Sequence, residues 1–555
     1  MKKRTRACGA CHNLKTKCEM PSDAEAGHDA CTRCHRFGLE CSPAPPKLQR
    51  DRITELEAQV ESLTRALRER SGSISADSTP ISGSSKTGFG AGAGIPSSSS
   101  PAAVSDSTAG SILSFLDGRT SLDDQRRALN SYSCGFKAVW CPANLSSQDL
   151  THVRNHSPLL LLAIMAFPMA AEVCGDSSTI ADELVNGAVD SFAQRVFVEG
   201  AQNTETVRAL LTAAFWHRIP RGQVAAHCHQ LSRLAIDMAV DIGLGGAEFP
   251  GSPAVYFRRM DGHEDPDSGR TWLACYASAC MYSLNVRAPL TIRWAKQHER
   301  SLMSVESSKR FEDRLFCHII RIISLCEEAA VELELCNLTL FHDVNEAPCQ
   351  EKMARMMERF REWSAQVPSD LVLHPMVRFW SFVFGVYLHE VVLHTPTNKT
   401  SFAAPHVPAN LSVTNFAAPG VVTDAAAAAM CHLIEACQGA ILACEDMGPA
   451  EVLAAPSSIF APAVMYALKV LVQVFITVNG PASTFGASSM IPKDKICMRE
   501  YISKVMVIAK AVESATHADT YWTGRILGAS AWLNTWSDDY EAILRRYDAN
   551  QQRKA

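Results

Sequence analysis

The sequence predicts a small metal-stabilised domain, a short coiled coil, a disordered linker and a large all-α domain. Three observations predict this order. Six cysteines fall within the first 41 residues in two copies of one spacing. A stretch rich in Ser, Gly, Ala and Thr occupies 71–111. The rest of the 555-residue chain contains long apolar runs without the alternation typical of strands.

The two cysteine triplets favour a metal centre shared by two equivalent halves. Both follow C-x2-C-x6-C, and their members are Cys8, Cys11, Cys18, Cys31, Cys34 and Cys41. A structural zinc ion takes four ligands in a tetrahedron. Two ions therefore need eight ligand positions, which six thiolates supply only if one sulfur from each half bridges both ions. The count needs no histidine, and the sequence predicts a site for two zinc ions.

A secreted domain with three disulfides is the alternative reading of six clustered cysteines. It is disfavoured because residues 1–6 read Met-Lys-Lys-Arg-Thr-Arg, and no apolar signal-peptide core precedes Cys8. Stable disulfides belong to oxidising compartments. We therefore expect metal-bound thiolates at this end of the chain.

The segment RACGACHNLKTKC…CTRCHRFGLEC resembles the fungal zinc binuclear cluster DNA-binding domain, and its spacing fits that family throughout. The resemblance implies that the first and fourth cysteines, Cys8 and Cys31, bridge the two zinc ions. It also implies that each half is a short helix followed by an extended strip. The first helix of that family enters the DNA major groove and reads a CGG triplet.

Basic residues are unequally divided between the two halves. Lys15 and Lys17 lie within the first triplet, whereas the equivalent stretch 35–40 carries only Arg36, and its Gly38 suits a helix C-cap. We expect the first half to read DNA and the second to support it. A lysine can donate to O6 and N7 of guanine, and Lys15 matches the base-contacting lysine of the family.

Four further basic residues are expected to meet DNA phosphates, which adds affinity without sequence information: Lys2, Lys3, Arg4 and Arg6. They also suit a nuclear import signal. The first helix departs from the family pattern, since His12 and Leu14 replace the usual basic residues. This departure supports an alternative function, that of a zinc-cluster adaptor or co-regulator that does not read DNA directly.

The charge distribution separates a basic head from an acidic body. Residues 1–50 carry ten basic and five acidic side chains, so 10 − 5 = +5. The whole chain has a net charge of −5, so the remainder carries −5 − 5 = −10. This asymmetry is typical of a DNA-bound regulator.

The segment 53–67, ITELEAQVESLTRAL, predicts a short dimerisation helix. Its apolar residues fall at the a and d positions of a heptad and are Ile53, Leu56, Val60, Leu63 and Leu67. A single amphipathic surface helix is the alternative. In the fungal zinc binuclear cluster family, which the first segment resembles, a dimerisation helix follows the cluster. The connector between the cluster and that helix sets the distance between the DNA half-sites. Here the connector, 42–52, is short and contains three prolines.

The expected domain boundaries follow from composition. They are a zinc cluster at 1–47, a coiled coil at 48–70, a disordered linker at 71–111, an all-α domain at 112–536 and a polar tail at 537–555. The linker has too few large apolar residues to bury a core. The apolar run 459–478 contains Lys469 and Gln473, which favours a buried helix over a membrane span.

Two stretches of the predicted body are similar to the fungal transcription factor regulatory domain, or middle homology region. They are SRLAIDMAVDIGLGG at 232–246 and RTWLACYASACMYSLNVRAPLTI at 270–292. Motifs such as G-x-S-x-G, H-E-x-x-H or a Walker loop are absent, so we predict no catalytic residues and no enzyme activity.

Together the resemblances imply a nuclear, sequence-specific transcription factor of RNA polymerase II genes. Its expected partners are double-stranded DNA and a second copy of itself. The transcription machinery and a small-molecule effector are possible further partners, and no membrane association is expected.

Overall fold

The chain forms two compact units, Met1–Ser98 and Ser99–Ala555. The computed structural model describes residues 8, 11, 17–18, 30–38, 41, 106–145, 148–175, 177–223, 227–249, 251, 265–411, 422–480, 491, 495–516 and 521–554.

In the first unit, the described residues pack around a cluster of cysteine side chains. Helix α1, Thr32–Phe37, is followed by Gly38, whose φ of +60° lies in the left-handed region that glycine adopts without steric cost. Gly38 thus ends the helix, as its place in the sequence predicts. Among the described residues of this unit, the buried cluster consists of cysteines rather than of large apolar side chains, so these residues need something other than a hydrophobic core to hold them together.

The second unit is helical throughout its described part, where the only β-type pairing is an isolated bridge between Arg218 and Tyr521. Its helices are α2 Asp106–Asp117, α3 Leu122–Tyr132, α4 Gly135–Trp140, α5 Leu150–His156, α6 Pro158–Ala166, α7 Ala170–Cys174, α8 Ser178–Ala193, α9 Thr204–Phe215, α10 Cys228–Asp241, α11 Pro266–Val286, α12 Lys296–Glu306, α13 Phe311–Glu332, α14 Ala347–Gln366, α15 Pro375–His389, α16 Asp424–Ala454, α17 Phe460–Asn479, α18 Met498–Thr516, α19 Trp522–Gly528 and α20 Trp532–Lys554. The predicted all-α body is confirmed.

Several helices begin at polar caps that their sequence encodes. Ser121 and Asp124 form a reciprocal capping box at the start of α3, and Asp149 accepts from a backbone amide at the start of α5. Asp265 does the same for α11, where Pro266 occupies the first helical position. These caps satisfy amides that the helix itself leaves unpaired.

The core of this unit surrounds the fully buried helix α6 and large aromatic side chains. Trp140 packs edge-to-face against Phe215 and Phe316, with ring centroids 6.3 and 5.8 Å apart. Arg270, in the stretch similar to the regulatory domain, is only 2% exposed. Its guanidinium pairs with Asp313 and donates to the backbone carbonyls of 138, 139 and 141, so this arginine fixes α11 against α13 and the end of α4.

Within the described part of the chain, three helical segments are long and apolar enough to cross a membrane: Pro375–Leu393, Asp424–Ala454 and Phe460–Asn479. In the folded body 78, 67 and 89% of their most apolar windows are buried. Packing against other helices therefore accounts for their apolar surface. The third segment includes Lys469, whose ammonium donates to the Ser401 carbonyl, which agrees with its interpretation as a buried helix.

Two helices cross the domain boundaries that the sequence predicts. Helix α2 starts at Asp106, before the expected boundary at 111, and α20 continues through the expected polar tail. The tail is polar on average, but its apolar residues recur at helical spacing. Tyr540 is 4% exposed and stacks on Trp536, with centroids 5.1 Å apart, so this segment packs on the body.

Candidate metal centre

The C-x2-C spacing brings both cysteines of a pair to one side of a helical turn. In the second half, Cys31 directly precedes α1 and Cys34 lies in its first turn. The Cys34 backbone amide donates to the Cys31 sulfur at 3.4 Å. Cys31 thus caps the helix with sulfur where a serine or aspartate would use oxygen.

The six sulfurs form two groups of four that overlap. One group is Cys8, Cys11, Cys18 and Cys31, and the other is Cys8, Cys31, Cys34 and Cys41; within each group the sulfurs lie within 4.8 Å of one another. Cys8 and Cys31 are the two members that the groups share.

The distances between sulfurs fit tetrahedral zinc and do not fit disulfides. Cys8 Sγ lies 3.9 Å from Cys31 Sγ and 3.6 Å from Cys34 Sγ, and Cys11 Sγ lies 3.7 Å from Cys31 Sγ. Four ligands about 2.3 Å from one zinc ion stand about 3.8 Å apart along the edges of the tetrahedron. A disulfide requires about 2.05 Å, and all six cysteines are free thiols. The centre therefore has the dimensions of a zinc site.

The two halves are arranged as equivalents. The Cys8 amide donates to Cys18 Sγ at 3.4 Å, and the Cys31 amide donates to Cys41 Sγ at 3.2 Å. The contacts across the centre match in the same way, since each shared sulfur approaches the second cysteine of the opposite half. The repeated spacing of the sequence thus becomes an approximate two-fold arrangement in space.

Protonation of the thiols is set by their surroundings. Burial raises the pKa of Cys34 to about 11. The Cys34 amide, by donating to the Cys31 sulfur, lowers the pKa of Cys31 to about 6. A thiolate, not a thiol, is the metal ligand. Divalent cations would stabilise the remaining thiolates, so metal binding should release protons.

Few of the expected DNA-contacting residues belong to the described part of the chain. Lys17 is exposed. Lys15, Lys2, Lys3, Arg4 and Arg6 lie outside the described residues, as do the expected dimer residues Ile53, Leu56, Val60, Leu63 and Leu67. On α1, Phe37 is 62% exposed, and the guanidinium groups of Arg33 and Arg36 lie 5.6 and 5.9 Å from its ring centre. This arginine–aromatic surface was not predicted from the sequence.

Comparisons with known proteins identify the first unit. Residues 6–51 match the fungal Zn(2)-Cys(6) binuclear cluster domain. The chain is also 26% identical, over 371 residues, to "Transcription factor pbcR" of Emericella nidulans. That alignment covers 59% of this chain and 48% of the relative, so the chain spans about half the length of the relative. No solved structure matches the chain.

These findings agree with the geometry, since the matched domain takes two metal ions through six cysteines and the structure brings those sulfurs together. The predicted resemblance to the zinc binuclear cluster domain and the predicted pair of zinc ions are both confirmed, whereas the resemblance of the body to the fungal regulatory domain stays a prediction. The chain is thus homologous to a fungal transcription factor and carries at 6–51 a fungal Zn(2)-Cys(6) binuclear cluster domain, which binds two zinc ions.

Proposed function

We propose that this protein is a nuclear, sequence-specific DNA-binding transcription factor of RNA polymerase II genes, and that it is not an enzyme. The observation that carries the proposal is the pair of four-sulfur groups sharing Cys8 and Cys31. The homology of the chain to a fungal transcription factor supports the same function.

In the proposed cluster, Cys8 and Cys31 bridge the two zinc ions and the other four cysteines each bind one ion. The metal then replaces the hydrophobic core that so small a unit lacks. The bridges would fix the angle between the halves and thereby hold the first helix in position for the DNA major groove. This assignment is supported by the membership of Cys8 Sγ and Cys31 Sγ in both four-sulfur groups.

Within the groove, Lys15 and Lys17 would donate to base edges of a CGG triplet, while Lys2, Lys3, Arg4 and Arg6 contact phosphates. The exposed side chain of Lys17 supports this role. The net charge of +5 on residues 1–50 would raise both the rate of association with DNA and the affinity of the complex.

We propose that two copies pair through the helix at 53–67, so that each complex reads two triplets. The heptad pattern and the short connector before it support this arrangement. Linking the two readers makes the second contact intramolecular and so multiplies affinity.

The helical body would act as the regulatory domain. The stretches similar to the middle homology region form α10 and α11, and Arg270 ties α11 to α13 and α4. The proposed organisation is therefore a DNA-reading head, a dimer helix, a linker and a body that communicates with the transcription machinery and with a small-molecule effector.

A gel-shift titration of the full-length protein tests the proposal. Duplexes with two CGG triplets at varied spacing are compared with duplexes in which the triplets are scrambled, in zinc and after chelation. We expect zinc-dependent binding that favours one spacing of the intact triplets. A protein that retains two zinc ions but binds both sets of probes equally weakly would instead be the adaptor.

A further inference from the structure

A cavity of about 540 Å³ lies inside the helical body. Its walls come from α10, α11, α17 and α19, from the start of α20 and from the segment 404–411. This volume falls within the roughly 300–1,000 Å³ typical of small-molecule sites. Segments far apart in sequence therefore converge on a space suited to a ligand.

The walls of the cavity combine apolar and aromatic side chains. Tyr282 on α11 stacks on His229 of α10, with ring centroids 3.6 Å apart and planes 9° apart. Trp522 and Trp532 face the cavity from the carboxyl-terminal helices, and Met465 faces it from α17. Flat aromatic walls favour a ligand with a planar or extended apolar body.

Basic side chains line the cavity. Arg525 and Lys469 line the cavity together with His229 and His406, and none of the described lining residues is an aspartate or glutamate. Arg525 is exposed, and its guanidinium makes no ion pair with any described residue. This lining is complementary to an anion and would disfavour a cationic ligand.

Among the described residues, two of these groups also have no hydrogen-bonded carboxylate. Both ring nitrogens of His406 are buried without a hydrogen-bond partner among the described residues. Burial lowers the pKa of His406 to about 3 and lowers that of Lys469 well below its usual value. The Lys469 ammonium contacts the Ser401 carbonyl and lies 4.7 Å from the Phe402 ring centre, so it has polar and aromatic neighbours without a paired carboxylate.

We propose that this cavity is a binding site for a small organic anion, with a mainly apolar and partly planar body and one acidic group such as a carboxylate. The body would lie between the His229–Tyr282 stack and Trp522, and the acidic group would be directed to Arg525. Because the cavity joins α10 and α11 to α19 and α20, an occupant would tie the carboxyl-terminal helices to the middle of the body. The site goes beyond DNA binding and does not depend on it.

Two fluorescent probes of nearly equal shape test the charge preference. Anilinonaphthalene sulfonate carries an anionic group, whereas phenylnaphthylamine lacks it. Each is titrated into the zinc-loaded full-length protein, with circular dichroism confirming that the fold is intact. We expect the sulfonate to bind at one site per chain and more tightly than the neutral probe by about tenfold or more, as for a charge-assisted contact.

Substitutions assign the binding to this cavity. Arg525→Gln should weaken the sulfonate by about tenfold and leave the neutral probe unchanged. Arg546→Gln, which removes an exposed charge outside the cavity, is the matched control and should change neither. Ala529→Trp should fill the space and abolish both.

The proposal is overturned if both probes bind equally, if Arg525→Gln has no effect, or if a folded Ala529→Trp protein still binds the sulfonate. Gel shifts of the same variants keep the two functions apart. A protein that binds CGG probes but not the sulfonate contradicts only the cavity proposal, and the reverse contradicts only the proposed function.

Discussion

Arg287 and Glu390 form an ion pair in the interior of the helical body, with 2.7 Å between the guanidinium and the carboxylate and each side chain 1% exposed. The Tyr466 hydroxyl contacts both partners, and His394 Nε2 lies 3.3 Å from the carboxylate. Arg287 caps the end of α11, while Tyr466 lies on α17. The pair therefore ties the end of α11 to the turn after α15 and to α17.

Removing one member of this pair should destabilise the body strongly. Arg287→Met leaves a buried carboxylate without its cation, and we expect a loss of about 3–5 kcal/mol in the free energy of unfolding. The double change Arg287→Met with Glu390→Leu should cost less than the sum of the two single changes. Urea unfolding followed by circular dichroism measures all three proteins, and strictly additive losses would exclude the coupling.

Buried histidines should make the body sensitive to mild acid. His389 is 7% exposed, and burial lowers its pKa to about 3. An unfolded histidine has a pKa of about 6.5, so below that pH the unfolded state binds a proton that the folded state does not. Stability is therefore full above pH ~6.5 and falls as the pH decreases toward 3, by about 1.4 kcal/mol per pH unit for this residue.

His389→Leu should flatten this dependence, reducing the stability lost between pH ~7 and ~5 by about 2 kcal/mol. Urea titrations at both pH values measure the change. His152→Gln, at an exposed position, is the control and should keep the original slope. An unchanged slope in His389→Leu would mean that this imidazole is protonated in the folded protein.

The shared sulfurs predict different outcomes for different cysteines. Cys8→Ser or Cys31→Ser should lose both zinc ions, because each of these sulfurs belongs to both four-sulfur groups. Cys134→Ser, at an exposed cysteine of the body, should retain both. Native mass spectrometry of the full-length protein counts the ions. A Cys8→Ser protein that keeps one tightly bound ion would contradict the bridging assignment.

Two lysine variants should distinguish a contact with a base from a contact with a phosphate. Lys15→Ala is expected to reduce binding to the CGG site by about 1–3 kcal/mol while changing binding to random DNA little. Lys3→Ala should weaken binding to both DNAs alike and reduce the salt dependence. Gel shifts at several salt concentrations provide the comparison, and equal losses on both DNAs for Lys15→Ala would remove its base-reading role.

A charge in the expected dimer seam should separate the two copies. Leu63→Glu would bury an unpaired carboxylate at a d position, so affinity for two-triplet DNA should fall toward that for one triplet, and the spacing preference should disappear. Ser62→Glu adds the same charge at the neighbouring c position and should preserve both. If Leu63→Glu keeps the spacing preference, the dimer interface lies elsewhere.

The metal centre was predictable from sequence because ligand counting is local. Six cysteines at repeated spacing limit the possible sites, and the resemblance assigned the bridges to Cys8 and Cys31, which are the two sulfurs common to both groups in the structure. The all-α body was predictable for a similar reason, since apolar runs longer than a strand indicate helices whatever their partners.

The cavity was not predictable, because no single segment encodes it. His229, Lys469 and Trp522 come from three separate helices, and each alone reads as an ordinary core residue. The Arg287–Glu390 pair joins residues 103 positions apart, and only the packing of the body brings the end of α11 beside the turn after α15. Mean polarity likewise concealed the helix in the expected tail, where Tyr540 follows Trp536 of the preceding segment at helical spacing and stacks on it.

The residues of helix α20 contribute to the packing of the body, although their composition is polar on average. Trp532 and Leu533 at its start are part of the cavity wall, and Tyr540 packs on Phe475 of α17 with ring centroids 6.1 Å apart. A premature stop codon just before Trp532 would leave all six cysteines of the metal centre in place. It would also remove a helix that covers α17 and would open the cavity, so the body would lose the proposed ligand site while the zinc site kept its ligands.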